Sequence, residues 1–281
     1  MAVRLTTLCE NTAGAIGFTG EWGLSILVEA GGEKVLLDVG LSDAAVKNAH
    51  VAGVDLGEIQ KIVLSHGHVD HTGGLQPVLL RVGHKVDVYA HPDMWGRKYV
   101  GVNSPGGAKS YRYVGVPYRR EALEGLGATF TYHTEPVWLN ASMVATGEVP
   151  MTTSFESVDG NMFIKAENGL APDPFPDDQA LVVKSPQGLV VVLGCAHRGA
   201  INTIMHARAI TGVDRVHTVV GGTHLVRAKD EQLDRTIAAL RELGVEKLGV
   251  SHCTGLPAAA VLAREFGDSF FFNSAGTVVE V

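Results

Sequence analysis

The sequence has 281 residues and a net charge of −7, and 46% of its residues are hydrophobic while 19% are charged. At about 100–200 residues per domain, this length allows one large domain or two small ones. It contains neither an apolar run long enough to cross a bilayer nor a segment dense in Lys and Arg. We therefore expect neither a membrane nor a nucleic acid as a partner.

The N-terminal residues and the cysteines bear on the cellular compartment. The first residues, MAVRLTTLCENTAG, do not form an apolar region followed by a small-residue cleavage site, so we expect a cytoplasmic protein. Three cysteines, Cys9, Cys195 and Cys253, favour reduced thiols over a disulfide framework. Twelve histidines exceed what packing requires and are the first indication of metal binding.

In the first part of the chain, apolar runs and turn residues predict strands and helices in alternation. Strands are expected at RLTTLC, LSILVEA, KVLLDVG, KIVLS and VDVYA, and helices at SDAAVKNAHVAGV and LQPVLLRVG. The Gly31-Gly32 pair predicts a hairpin between the second and third strands. The segment at about 96–136 has weak periodicity, and we interpret it as an insertion or a lid over a site.

The second part begins near Trp138 and changes from strands to βα units. A strand is expected at SMVATG, a loop from Glu148 through the cluster APDPFPDD, and a hairpin formed by QALVVKS and GLVVVLG. Helices are expected at 199–209, 230–243 and 256–266, and strands at VHTVVGG, KLGVS, SFFFNS and TVVEV. The pattern predicts one α/β domain over residues 1–281, with helices on both outer faces of two stacked sheets.

The segment HGHVDH, residues 66–71, directly follows an apolar strand and is typical of a metal site. Imidazole and carboxylate are preferred ligands of Zn²⁺, and they must converge from a short, turning segment. In an extended stretch His66 and His68 point the same way, so both can hold one ion, and a turn at Val69 sends Asp70 and His71 to a second position. One loop cannot complete two metal sites, so further ligands must come from elsewhere.

Three later strand ends supply candidates, because strand ends in α/β proteins open on a common crevice. The first presents Cys195 and His197, the second presents His224, and the third presents His252 with Cys253. A packed histidine remains the alternative for each of the three histidines, and a small buried core residue remains the alternative for Cys195.

The motifs resemble those of the metallo-β-lactamase superfamily, whose signature is His-x-His-x-Asp-His. Over nearly the whole chain, the segments ENTAG, EWGLS, SHGHVDHTGGL, TGEVP, PDDQAL, GCAHRG, GGTHL and HCTG are together similar to one subgroup. That subgroup is related to the dihydropterin–ribofuranosylaminobenzene phosphate synthases of methanopterin biosynthesis. The resemblance implies a four-layer αββα sandwich with two divalent metal ions.

The same resemblance implies a ligand set. His66, His68 and one downstream group would hold the first ion, while a second ion would be held by Asp70, His71 and His252. Zn²⁺ is the expected ion, and Mn²⁺ or Fe²⁺ would accept the same ligands.

The downstream ligands depart from the family pattern, in which an Asp at the end of the strand LVVVLG bridges the ions and a separate histidine precedes the hairpin. Here that strand end carries Cys195, with His197 close behind, and Asp177 and Asp178 precede the hairpin. We expect His197 to be the bridging group, with Cys195 and Asp178 as alternatives.

Other residues are candidates for catalysis, substrate binding and support of the ligands. Asp70 is expected to be both a ligand and the group that orients or deprotonates the nucleophile. Asp38 is a candidate hydrogen-bond partner of a ligand histidine, or else a turn carboxylate. Candidate donors to an anionic substrate are His224, Arg198, Thr254-Gly255, Thr72-Gly73-Gly74 and the aromatic, basic residues between Tyr111 and Arg120. The alternative for that last segment is a solvated loop.

Three functions are compatible with these residues. The first is hydrolysis of a small phosphorylated or ester-bearing metabolite by a metal-bound hydroxide. The second, implied by the subgroup, is a synthase that condenses a pterin-methyl diphosphate with an aminobenzene ribosyl phosphate. The third is a non-enzymatic sensor of metal or ligand, which the presence of Asp70 disfavours. The partner expected in each case is a small, anionic molecule, and the chain is compatible with a homo-oligomer.

Overall fold

A computed structural model describes residues 2–103 and 109–281. In the first part of the chain the elements are β1 (Val3–Cys9), β2 (Ser25–Ala30), β3 (Glu33–Leu37), α1 (Ala44–Val51), β4 (Lys61–Val63), α2 (Val69–Thr72), α3 (Leu75–Val82), β5 (Val86–Ala90), β6 (Lys98–Asn103), β7 (Lys109–Tyr113), α4 (Arg120–Glu124) and β8 (Ala128–Tyr132).

In the second part they are β9 (Val137–Trp138), β10 (Met143–Ala145), β11 (Met162–Ala166), β12 (Gly169–Pro172), β13 (Ala180–Ser185), β14 (Gly188–Leu193), α5 (Ala200–Thr211), β15 (Val216–Gly222), α6 (Asp230–Glu242), β16 (Lys247–Ser251), α7 (Leu256–Phe266), β17 (Phe270–Phe272) and β18 (Val278–Glu280). Within the described ranges, no helix is long and apolar enough to span a membrane.

Two seven-stranded sheets form the centre of the molecule. The first has the strand order β18-β1-β2-β3-β4-β5-β8, and the second has the order β17-β16-β15-β14-β13-β10-β9. Strands β3, β4, β5 and β8 run parallel, as do strands β14 to β17, so their carboxyl ends lie at one edge of each sheet. This arrangement places the loops that follow β4, β14 and β16 where a shared site can form.

Three hydrophobic clusters hold these layers together. Buried side chains of both sheets, such as Leu5, Val63, Val190 and Val220, pack between the sheets. A second cluster fills the space between the first sheet and helices α1 and α3, and a third lies between the second sheet and helices α5, α6 and α7. The order helix, sheet, sheet, helix confirms the predicted four-layer αββα sandwich.

A third, four-stranded sheet with the order β12-β11-β6-β7 lies beside this sandwich, and it changes the interpretation of two segments. The loop expected from Glu148 through the Pro/Asp cluster is interrupted by β11 and β12, so that prediction is wrong there. The composition of this segment is typical of loops. Strand β12 nevertheless accommodates Pro172, because it lies at the edge of the sheet and a proline there removes no hydrogen bond between strands.

The segment 96–136 is divided between two sheets. Its first part forms β6 and β7 of the third sheet, whereas α4 and β8 belong to the sandwich, with β8 paired to β5 and Leu123 buried in the core. Its weak periodicity reflects short elements that each bury at most two side chains among the described residues. That residues 1–281 form a single domain, and that the segment 96–136 forms a lid over a site, remain predictions.

Candidate metal centre

Three buried imidazoles meet where the two sheets face each other. His66 Nε2 lies 3.0 Å from His68 Nδ1 and 3.2 Å from His197 Nε2. Burial, together with the neighbouring histidines, lowers the pKa of His66 and His197 well below the usual value, and burial lowers the pKa of His68 to about 3. The rings are therefore neutral, and the chemistry of three converging neutral imidazoles fits a divalent cation.

The positions of these imidazoles follow from the strand ends. His66 and His68 lie in the extended loop between β4 and α2, and His197 lies in the loop between β14 and α5. In that second loop Ala196 has a φ of 52°, which turns the chain back toward the first sheet.

A second group of potential ligands lies directly beside the first. His252 Nε2 is 3.3 Å from His71 Nε2 and 3.3 Å from Asp70 Oδ2. Burial alone would raise the pKa of Asp70, but the hydrogen bond with His252 and the neighbouring His71 hold it well below the usual value. The indole Nε1 of Trp22 donates to Asp70 Oδ2 at 2.9 Å, which fixes the carboxylate in the orientation that faces His252.

Asp38 supports His71 from the side opposite the cluster. Its Oδ2 lies 2.6 Å from His71 Nδ1, and its two oxygens accept from the hydroxyl and the N–H of Ser65 at 2.6 and 2.7 Å. Burial would lower the pKa of His71, but the charge of Asp38 raises it to about 9. With Nδ1 bound in this way, Nε2 of His71 faces His252.

His252 is held by residues from the other end of the chain. Glu10 Oε1 accepts from the backbone N–H of His252 at 2.7 Å, and Asn11 Oδ1 lies 2.9 Å from its Nδ1. These contacts fix the ring although His252 has a left-handed backbone, with a φ of 52°. Asp70, His71 and His252 thus form a second ligand group of the kind implied by the resemblance.

Cys195 faces both groups. Its Sγ is 3.1 Å from His71 Nε2, and the potential ligand atoms of Cys195, His66 and His71 all lie within 4.8 Å of one another. His197, the expected bridge, lies with the first group instead, in a set formed with His66 and His68. The geometry therefore favours the alternative, Cys195, as the residue between the two groups.

Asp178 belongs to none of the ligand groups among the described residues. Instead it supports the loop between β14 and α5 that carries His197. Its Oδ2 accepts from the backbone N–H of Arg198 at 2.8 Å, directly after His197, while its Oδ1 is buried without a hydrogen-bond partner. Burial raises the pKa of Asp178 to about 7.

Comparison with known proteins identifies the family. A model of the metallo-β-lactamase superfamily matches residues 22–252, a range that contains both ligand groups. The chain belongs to this superfamily. Together with the ligand groups, this membership identifies it as a metal-dependent enzyme of the metallo-β-lactamase fold.

Relatives of similar length differ in their activities. The chain is 29% identical to 7,8-dihydropterin-6-methyl-4-(β-D-ribofuranosyl)-aminobenzene-5'-phosphate synthase of Methanocaldococcus jannaschii, covering 99% of this chain and 96% of that protein. It is 31% identical to Tm1679, a metal-dependent hydrolase of the β-lactamase superfamily, with a TM-score of 0.84 and 99% of each chain covered. The metallo-β-lactamase fold protein YhfI of Bacillus subtilis is 14% identical to the chain, with a TM-score of 0.61 and 100% of each chain covered. This likeness shows the fold alone.

In this metallo-β-lactamase-fold protein a cavity of about 500 Å³ opens over the two groups. We call it the metal cavity; it is lined by Trp22, His68, Asp70, Arg112, Tyr113, Arg227 and five apolar side chains. Arg112 and Tyr113 belong to the aromatic, basic segment 111–120, which contains candidate donors to an anionic substrate. Because β7 carries both residues, the third sheet supplies one wall of this cavity.

Three of the other candidate substrate-binding residues, His224, Thr254 and Arg198, lie in different surroundings. The ring of His224 lies 4.2 Å from that of His197, and Asp159 raises the pKa of His224 to about 10 despite its burial. The hydroxyl of Thr254 is bound to the N–H and hydroxyl of Thr223 at 3.1 and 2.9 Å, so it has a structural partner. Arg198 has a buried Nε without a hydrogen-bond partner.

Two residues that support the ligands, Trp22 and Glu10, have no sequence signal of that role. They lie in EWGLS and ENTAG, segments whose only signal is the resemblance to the subgroup. A further signal lay in PDDQAL: Asp177 Oδ2 accepts from the N–H of Gly67, between two candidate ligands, at 2.8 Å.

Proposed function

We propose that this protein is a dinuclear metal-dependent hydrolase of a small, anionic metabolite that carries a phosphoryl or ester group. The observation that carries this proposal is the pair of adjacent ligand groups, His66/His68/His197 and Asp70/His71/His252, with Cys195 between them. When bound, two divalent ions would make water nucleophilic near neutral pH and would polarise the bond to be broken.

The protein's own residues have distinct tasks in this reaction. Asp70 faces both its ligand group and the metal cavity, so its free carboxylate oxygen can accept a proton from the attacking water. Trp22 prevents Asp70 from rotating out of the cavity. Arg112 and Arg227 line the same cavity and supply positive charge for an anionic substrate.

A synthase that joins a pterin-methyl diphosphate to an aminobenzene ribosyl phosphate is the second candidate. It is supported by the 29% identity to such a synthase over 99% of the chain. The aromatic walls of the metal cavity, Trp22 and Tyr113, are suited to flat rings. Both functions would use one site and differ in the group that attacks.

The deciding experiment measures metal content and hydrolysis on the same samples. We expect elemental analysis to give about two ions per wild-type chain, with both ions and hydrolysis of a phosphodiester and thioester panel lost in His68→Ala. His84→Ala is the matched control, because His84 is an exposed histidine outside the site.

Each outcome separates the candidates. Two ions with hydrolysis support the hydrolase. Two ions without hydrolysis, but with product formed from the pterin diphosphate and the aminobenzene ribosyl phosphate, support the synthase. A wild-type protein that binds no metal overturns both.

A further inference from the structure

We propose that a second pocket, next to the metal cavity, binds a phosphate group of the substrate at a point remote from the reacting bond. This proposal rests on the proposed function and specifies the substrate class, a phosphate monoester whose reacting group lies elsewhere in the molecule. We call this pocket the outer pocket; it has a volume of about 380 Å³ and its polar lining includes Ser154, Ser157, His224, Arg227, Lys229 and Arg235.

The charge of the outer pocket favours an anion. Three permanent cations, Arg227, Lys229 and Arg235, line it against two acids, Asp159 and Glu231. Asp159 lies 3.8 Å from Arg227 Nη1, which is beyond hydrogen-bond distance, so the donors of that guanidinium stay available.

Arg235 is held in place from one side only. Its guanidinium lies 4.6 Å from the centre of the Phe155 ring and donates through Nη2 to Ser154 Oγ at 3.0 Å. Two acids, Asp159 and Glu231, line the same pocket, but among the described residues neither forms an ion pair with Arg235, so its remaining N–H groups have no carboxylate partner. A planar guanidinium with free donors is suited to bind phosphate through two hydrogen bonds.

The outer pocket and the metal cavity share a wall. Arg227 lines both, and the metal cavity also contains His68 and Asp70. His224 lies between the outer pocket and His197, with the two rings 4.2 Å apart. A ligand with its phosphate near Arg235 would therefore pass Arg227 and place its other end at the ligand groups.

The backbone at this wall adopts a conformation that is rare for a non-glycine residue. His224 has a φ of 50°, in the left-handed region that few histidines adopt, and its buried ring nitrogens lack hydrogen-bond partners. Such strain and unsatisfied polar atoms are concentrated at binding sites. His224 also lies within ligand distance of Cys195 and His197, so the test uses other residues.

The test compares ribose 5-phosphate with ribose as probes of the metal-loaded protein by isothermal titration calorimetry. We expect the phosphate to bind at least tenfold more tightly than the sugar alone. Arg235→Gln removes one charge from the outer pocket without touching the metal cavity, and we expect it to weaken ribose 5-phosphate binding by about tenfold or more, the effect of losing a charged hydrogen bond. Lys229→Gln, an exposed position that no core packing depends on, should also weaken it.

Arg4→Gln is the matched control, since Arg4 forms a surface ion pair with Glu280 on the first sheet and its loss changes the net charge equally. Unchanged affinity in this control together with the loss in Arg235→Gln supports the outer pocket. If wild type and both outer-pocket variants bind ribose 5-phosphate equally tightly, the proposed phosphate site is overturned, because the phosphate then binds at the metal ions. The measurement involves no turnover, so a protein that loses affinity in Arg235→Gln but fails the hydrolysis panel contradicts the proposed function alone.

Discussion

Asp38 connects the metal centre to the first sheet through a single carboxylate. It binds His71 Nδ1 and both donors of Ser65, and it does so from a left-handed backbone conformation with a φ of 57°. Asp and Asn tolerate this conformation better than other non-glycine residues. The position therefore needs a short polar side chain, and the charge decides how basic the His71 ring becomes.

We predict that Asp38→Asn retains the fold but lowers metal affinity by about 10–100-fold, because a neutral amide orients and polarises the imidazole less. Competition with a chromophoric chelator measures the affinity. Asp43→Asn, an exposed acid that precedes α1, should leave it unchanged. Equal affinities for wild type and Asp38→Asn would show that the carboxylate is only a turn residue.

Some residues of the metal centre can be predicted from the sequence, and others cannot. The segment 66–71 is recognisable because its potential ligands lie close together in the chain, and His197 and His252 because each follows a buried strand. Trp22 and Glu10 act through single contacts, and Glu10 reaches a residue 242 positions away. A contact of that kind leaves no local pattern.

Strand β6 carries a charged side chain that is almost completely buried. Lys98 is 1% exposed and its Nζ lies 2.8 Å from Asp173 Oδ2 and 2.9 Å from Asp177 Oδ1. Since the other oxygen of Asp177 binds the N–H of Gly67, the third sheet is tied to the metal loop. A Cβ at Gly67 would lie 2.1 Å from the carbonyl oxygen of Met94, so position 67 has no space for a side chain.

We predict that Lys98→Met lowers the free energy of unfolding by about 3–5 kcal/mol, because two carboxylates would remain buried without their cation. Urea denaturation measures the loss. Lys165→Met, an exposed position on β11 in the same sheet, is the control and should cost less than about 0.5 kcal/mol. A loss no larger than that of the control would mean that the buried charges are compensated by other groups.

The beginning of α5 depends on a carboxylate from another segment. Glu156 accepts from the N–H groups of Ile201 and Asn202 at 2.9 and 2.8 Å, and burial raises its pKa although these hydrogen bonds lower it in part. The folded protein therefore binds more protons than the unfolded chain between the ordinary glutamate pKa, about 4.3, and the raised value. In that window the contribution of Glu156 to stability declines as the pH rises.

We predict that the unfolding free energy of wild type, relative to that of Glu156→Gln, falls as the pH rises above the ordinary glutamate pKa of about 4.3. Urea denaturation at each pH measures it, and other titrating groups cancel in the difference. Glu231→Gln, an exposed acid in the first turn of α6, should show no such trend. A difference that is constant with pH would contradict the raised pKa.

Strands β11 and β12 show why the third sheet was not predicted. Their alternation of apolar residues is short, and Gly169 and Pro172 are typical of loops. Strand β11 is stabilised by pairing with β6, more than 50 residues earlier in the chain, in register at Phe163 and Tyr99, and β12 pairs in turn with β11. Most of the sandwich could be predicted because parallel strands such as β4, β14 and β16 are apolar runs that are buried over most of their length.

At the scale of the whole molecule, each ligand group draws on both halves of the chain. His66 and His68 come from the first half and His197 from the second, and the same division separates His71 from His252. Ions that bind only the folded protein stabilise it by mass action. The two halves should therefore be held together more firmly when metal is bound.

We predict that removing metal with a chelator lowers the melting temperature, and that restoring it to about 100 times its dissociation constant returns about 2.7 kcal/mol of stability. Differential scanning calorimetry measures both steps. His252→Ala should lose part of this gain, whereas His84→Ala should keep it. A melting temperature that does not change while elemental analysis shows bound ions would mean that the ions also bind the unfolded chain.

The division of ligands between the halves also sets an order during synthesis. His71 leaves the ribosome 181 residues before His252, and the carboxylate that holds His252 in place, Glu10, is made earlier still. The HGHVDH donors are thus made before either group can be completed, since His197 follows His66 by 131 residues and His252 follows His71 by 181. The second group can therefore be completed only after residue 252 has been made, and a product terminated earlier would leave the ribosome with an incomplete second group.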